Sequence, residues 1–174
     1  MALTAKERKQ KQLAREQEEL RKLPDSTYDF LETPFYVAAE DNPNWSNVSL
    51  SFELMGLEPP EFEDDRGPAD FAHEHCFATD EDRADAFEGY CGSIGRAEAM
   101  VDFLLDASIE LASVINTYKK QALRDHRQQI ENADLSDPDT RHKALETIAR
   151  LTRIEDALDK NVRRTLPQWK VKGL

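Results

Sequence analysis

From Ser93 to about Asn132, apolar positions recur in steps of four and three: Ala97, Val101, Leu104, Ser108, Leu111, Ile115, Tyr118 and Ala122. That spacing predicts one long helix with a heptad-like stripe suited to packing on another helix. Met100, Leu105 and Val114 widen the stripe. Residues 133–137 read as a turn in which Asp137 caps a further helix and Pro138 takes its first position, where a missing N–H costs nothing. Leu145, Ile148, Leu151, Ile154, Leu158 and Val162 give this second helix an apolar face, and Pro167 closes it. A turn this short predicts an antiparallel helical hairpin. Two helices cannot bury both their faces alone. Val101, Leu104, Leu111, Ile115 and Tyr118 are therefore expected to lie under the middle of the chain or to form the seam of a homo-oligomer, a dimer first of all.

Upstream the pattern thins. Residues 4–23 predict a helix: Thr4 and Glu7 make a capping box, and strong helix formers follow. Its apolar residues are sparse (Leu13, Leu20, Leu23), so it is expected to be exposed or to dock on something else, and Pro24 ends it. Residues 24–79 hold six prolines and nine of the aromatic residues, from Tyr28 to Phe77. That aromatic content is too high for a disordered linker and predicts short helices and irregular chain packed on something larger. Within it, Val48, Leu50, Phe52 and Leu54 alternate as in a strand, yet the same run reads equally as a short helix ending at Gly56. Asp80 to Tyr90 is helix-like, and Gly89, Gly92 and Gly95 interrupt it before Ser93 caps the long helix. The expected fold is all-α: an exposed helix over 1–23, an acidic aromatic-rich segment over 24–79, a helical hairpin core over 80–166 and a basic tail over 167–174.

Charge changes this picture more than any motif. Residues 24–112 carry three Lys/Arg and 22 Asp/Glu, while residues 1–23 and 113–174 each carry a positive balance within a net charge of −12. An acidic body with basic ends speaks about partners. Hydrophobic residues at 39% and charged residues at 33% predict a modest core. Two cysteines, Cys76 and Cys91, make no Cys-x-x-Cys pair, so a reducing compartment is expected. No apolar run is long enough to cross a membrane, and the charged opening is unlike a signal peptide. These features together point to the cytoplasm.

No catalytic signature is present, and neither a cofactor nor a metal site is expected. His73, His75 and Cys76 are ligand types, but the second histidine follows too soon to share a helix face with the first. The run Gly89-Tyr-Cys-Gly92-Ser-Ile-Gly95 lacks the Gly-Lys-Ser/Thr ending of a phosphate loop and reads as a kink or a close helix approach. The acidic residues Glu61, Glu63, Asp64, Asp65, Asp80, Glu81, Asp82 and Asp85 admit a solvated face, a cation site, or a carboxylate array that imitates the phosphates of nucleic acid. The third reading makes the chain a non-enzymatic binding protein that engages a basic nucleic-acid-binding protein and inhibits or modulates it. The alternative is a DNA- or RNA-associated regulator or packaging component. Its arms would touch phosphates through Lys6, Arg8, Lys9, Lys11 and Arg15 at one end, and Arg163, Arg164, Trp169 and Lys170 at the other. The opening Leu3-Thr-Ala-Lys6-Glu-Arg8-Lys-Gln-Lys11-Gln-Leu-Ala-Arg15 resembles the N-terminal helix of many small bacteriophage and plasmid proteins. The resemblance implies a mobile-element origin and assigns no residue a role.

Overall fold

A computed structural model describes residues 4–173, and every regular element in them is helical. The elements are α1 (Ala5–Lys22), α2 (Phe35–Ala39), α3 (Trp45–Leu54), α4 (Asp80–Ala86), α5 (Gly92–Glu131) and α6 (Pro138–Leu158), with three single 3-10 turns between them. The fold is all-α. The chain up to Phe103, joined by the tail from Gln168, makes one compact unit, and Leu104–Pro167 makes a second.

In the first unit, α1 opens with the Thr4–Glu7 capping box, and none of its residues is buried. Its last turn engages the rest of the unit: Lys22 pairs with Glu88 at 2.9 Å, and the Arg21 carbonyl accepts from Lys172 Nζ at 2.6 Å. Residues 45–54 are helix α3, which resolves the strand-or-helix ambiguity of Val48 to Leu54. With no neighbouring strand to complete a ladder, their backbone groups bond within the segment. Aromatic side chains knit the irregular stretch to the start of α5. Phe62 is buried, with Phe35 and Trp45 edge-on to it at centroid distances of 5.2 and 5.7 Å. Phe87 is likewise edge-on to Phe77 and Phe103 at 5.9 and 6.1 Å. Such pairs contribute about 0.5–1.5 kcal/mol each beyond their buried area.

The start of α5 corrects the expected cap. The helix already begins at Gly92, so Ser93 lies inside its first turn, fully buried. The cap comes from 28 residues upstream: Asp65 Oδ1 accepts from the Ser93 backbone N–H at 2.9 Å and from its hydroxyl at 2.6 Å. A carboxylate there satisfies an orphan donor and complements the positive end of the helix dipole.

In the second unit, α6 begins as its sequence predicts, with Asp137 accepting from the Thr140 backbone N–H at 2.8 Å and Pro138 in the first turn. Asn116 and Lys120 meet the end of α6 at Leu158 and Asp159, whereas Arg127, further along α5, meets Glu155 and Thr152, further back along α6. That order is antiparallel. The helix α6 stops at Leu158, well before Pro167, and Val162 lies beyond it at 85% exposure rather than on a buried face. The Asn116 side-chain amide donates to the Leu158 carbonyl at 2.7 Å, satisfying an orphan acceptor of the last turn. Leu151 is the buried residue of α6, while Leu145 and Ile154 are exposed.

Candidate partner-binding groove

The chain from Glu58 to Arg66 crosses beside α2 and α3 and encloses a groove of about 830 Å³. Trp45, Phe62 and Phe71 line it, and α5 contributes Arg96. The Arg96 guanidinium lies 3.6 Å from the Phe71 ring centroid and 4.4 Å from that of Phe62, and donates to the Glu61 carbonyl. Burial pushes this guanidinium down from its ordinary range while Asp64 opposes the shift. An arginine stays charged regardless. Arg66 lies 4.7 Å from the Phe71 centroid and bonds Asp64 Oδ2 through Nε at 2.7 Å. The backbone N–H and then the side chain of Arg66 hold the Asp64 carboxyl below its usual range.

Five carboxylates line this groove: Glu40, Glu58, Glu61, Glu63 and Asp64. They outnumber its two arginines, which are already engaged with the aromatic rings. The surplus of carboxylates favours cations, and carboxylates suit guanidinium in particular. Three of the sequence-derived acidic residues, Glu61, Glu63 and Asp64, come together here. Asp65 is committed to capping α5. Asp80, Glu81 and Asp82 form the first turn of α4, where negative charge complements the helix dipole, and Asp82 accepts from the Thr79 hydroxyl at 2.8 Å. Asp80 lines a separate, smaller hollow with Glu74 and Arg83, and Asp85 is exposed further along α4. The eight acids thus divide between a groove, a cap and helix α4. Sequence reasoning missed Glu40, Glu58, Trp45, Phe62, Phe71, Arg66 and Arg96 as site residues. The surplus of aromatic residues among acids was their one signal.

The basic residues divide as well. Among the described residues, no hydrogen bond or ion pair engages the side chains of Lys6, Arg8, Lys9, Lys11, Arg15, Arg163 or Arg164, all of them exposed. Trp169 is partly exposed. Lys170 departs from the expected phosphate-facing arm: it donates to Asp102 and to the Tyr90 hydroxyl, which itself donates to Asp102. The reason is local. The tail returns to the first unit, and Asp102 with Tyr90 offers a half-buried acceptor pair that outcompetes water. His73 and His75 are exposed with rings stacked at 5.4 Å, and both cysteines are free and exposed. Among the described residues, no three His, Cys, Asp or Glu side chains are arranged to hold a metal ion, and no helix is long and apolar enough to cross a membrane.

The same unit buries Glu98, which is 5% exposed and accepts from the Tyr28 hydroxyl at 2.7 Å. Burial pushes the Glu98 carboxyl above its usual range, against the Tyr28 hydrogen bond, and burial with Glu98 also pushes the Tyr28 hydroxyl up. A carboxyl raised on folding contributes stability below its unfolded pKa and loses it as pH rises through the folded value. Glu98→Gln keeps an acceptor for Tyr28 and removes the buried charge. At pH 7 it is expected to stabilise the fold by on the order of 1 kcal/mol, about 2–4 °C in Tm. The gain should vanish in mildly acidic buffer, as thermal melts across pH will record.

No protein-family model, curated protein or solved structure matches the chain.

Proposed function

We propose that this chain is a non-enzymatic binding protein that receives an arginine-rich segment of a basic, nucleic-acid-binding protein in the acid-rimmed groove, and so inhibits or modulates that protein. The observation that carries the reading is the groove: five carboxylates line it against two arginines, both already engaged within the chain. Carboxylates in this setting compete for the side chains that would otherwise grip phosphates. The segregated acidic charge steers a basic partner toward it, and the resemblance of the opening helix to bacteriophage and plasmid proteins supports a mobile-element inhibitor.

The test is binding of a labelled arginine-rich peptide to the full chain and to Glu58→Lys/Glu61→Lys/Glu63→Lys. The three rim reversals are expected to weaken binding about ten- to a hundredfold, each tenfold being about 1.4 kcal/mol. Wild-type affinity should fall between about 0.1 and 1 M salt, as the Debye length shrinks from ~10 to ~3 Å. An unchanged affinity in the triple variant, with native circular dichroism, removes the groove as the site.

A second reading rests on the unengaged cations of α1: the basic arm contacts nucleic acid. Retention of a partner that depends on nucleic acid and on residues 1–23 would favour it over the groove.

A further inference from the structure

The helix α5 turns its densest apolar stripe away from α6. The residues of α5 that meet α6 or are shielded beside it are Asn116, Lys120, Leu123, Arg127 and Ile130. At 3.6 residues per turn, the stripe of Leu104, Leu111, Ile115, Tyr118 and Ala122 is centred about 130° around the helix from that face. It is open: Leu104 is 40% exposed, Ile115 44%, Leu111 61%, Val114 63% and Tyr118 74%. Together these side chains leave roughly 500 Å² of apolar surface, near the top of the range for the largest patch on a monomer.

We infer that this stripe is a dimerisation surface on which α5 packs antiparallel against α5 of a second copy of the chain. Two features of α5 select that occupant. The spacing by four and three is the repeat that another α-helix matches. A two-fold axis near Ser113 sets large against small in its outer layers: Leu104 against the partner's Ala122, and Tyr118 against the partner's Ser108. The central layer pairs Leu111 with the partner's Ile115. The Ser108 hydroxyl donates to the Leu104 carbonyl at 2.6 Å, so burial there leaves no orphan donor. The same layers set the direction: a parallel pair in register would oppose Tyr118 to Tyr118 and Ser108 to Ser108, whereas the antiparallel pair sets large against small. Two copies bury about 1,000 Å² between them, the threshold for a specific interface.

The experiment uses the full chain with Cys76→Ser and Cys91→Ser, and adds either Leu104→Cys or Ala122→Cys. In the antiparallel pair, two Leu104 positions lie about 27 Å apart along the axis at 1.5 Å per residue, while Leu104 and Ala122 face each other. Mixing the two variants under mild oxidation is expected to give a crosslinked dimer, and Leu104→Cys alone is expected to give none. Sedimentation equilibrium of the wild type should show a dimer, with Leu111→Glu/Ile115→Glu weakening association at least tenfold and leaving helicity intact. A wild type that stays monomeric at high micromolar concentration overturns the inference. So does a Leu104–Leu104 crosslink, or a dimer indifferent to the double substitution.

Discussion

Gly89→Ala is expected to cost the protein about 3–4 kcal/mol, a fall in Tm of roughly 6–16 °C at 2–4 °C per kcal/mol. Two causes add. Gly89 has φ +85°, a region that costs a residue with a Cβ about 1–2 kcal/mol. That Cβ would also lie 2.5 Å from the Leu23 carbonyl oxygen and 2.6 Å from that of Lys22. Both are backbone atoms at the end of α1, so no side chain can rotate aside, and forced overpacking costs about 1–3 kcal/mol. The damage should be local first. The last turn of α1 docks here through the Lys22–Glu88 ion pair, and its amides should lose hydrogen-exchange protection before those of α5. Gly56→Ala is the control: φ is +72°, yet nothing lies within 4 Å of a Cβ there. It should show only the backbone component, about 1–2 kcal/mol. Equal losses at the two glycines would mean that the α1 docking point tolerates the extra carbon.

Asp25→Ala should come next, with a loss of about 3 kcal/mol and release of the C-terminal tail. Asp25 is 3% exposed. Its carboxylate accepts from the Thr27 backbone N–H at 2.8 Å, from the Thr27 hydroxyl at 2.6 Å, and from the Val171 backbone N–H. Hydrogen bonds to a charged acceptor contribute about 1.5–3 kcal/mol each, and the orphaned donors would lose theirs in a buried setting. The Val171 carbonyl also accepts from the Ser26 backbone N–H at 2.6 Å, so Asp25 sits where the tail is pinned. Burial raises the Asp25 carboxyl, but the hydrogen bonds from Thr27 and Val171 oppose that and hold it below its usual range. A carboxyl lowered on folding contributes stability above its unfolded pKa and loses it as pH falls through the folded value. The gap between wild type and Asp25→Ala should therefore be full at neutral pH and narrow as pH falls below the ordinary Asp range of about 3–4. Denaturant melts at both pH values, with limited proteolysis of residues 168–173, will check this. A tail still protected in the variant would shift the anchor to Lys170 and Asp102.

Glu98 answers with the opposite sign from the same unit. Mild acid relieves its buried charge before stronger acid reaches Asp25, so these two residues together favour the fold most at mildly acidic pH. Neither was legible as a pair. Asp25 follows Pro24 as one more turn acid, and Glu98 sits in a helix pattern as one more surface charge.

What was legible in the chain is what neighbours in sequence decide. The Thr4–Glu7 capping box, the Asp137–Pro138 start of α6, the turn before it and the all-α character depend on groups within about four residues of each other. Propensity and spacing report such contacts directly. The segregation of charge is likewise written in the order of residues. Tertiary structure decided the rest. Four alternating residues fitted a strand as well as α3 until no neighbouring strand was there. The first turn of α5 took its cap from Asp65, 28 residues away, where Ser93 had seemed to suffice. The groove drew Glu40, Phe62, Phe71 and Arg96 from four separate stretches. Above all, the repeat in α5 marked an apolar stripe without saying what would meet it. Helix α6 packed on a different face of α5, where Asn116, Lys120 and Arg127 offered its carbonyl end, Asp159 and Glu155 specific polar partners. Periodicity measures how apolar a face is, whereas packing follows from which surfaces the connections allow to approach, and that is a property of the folded chain alone.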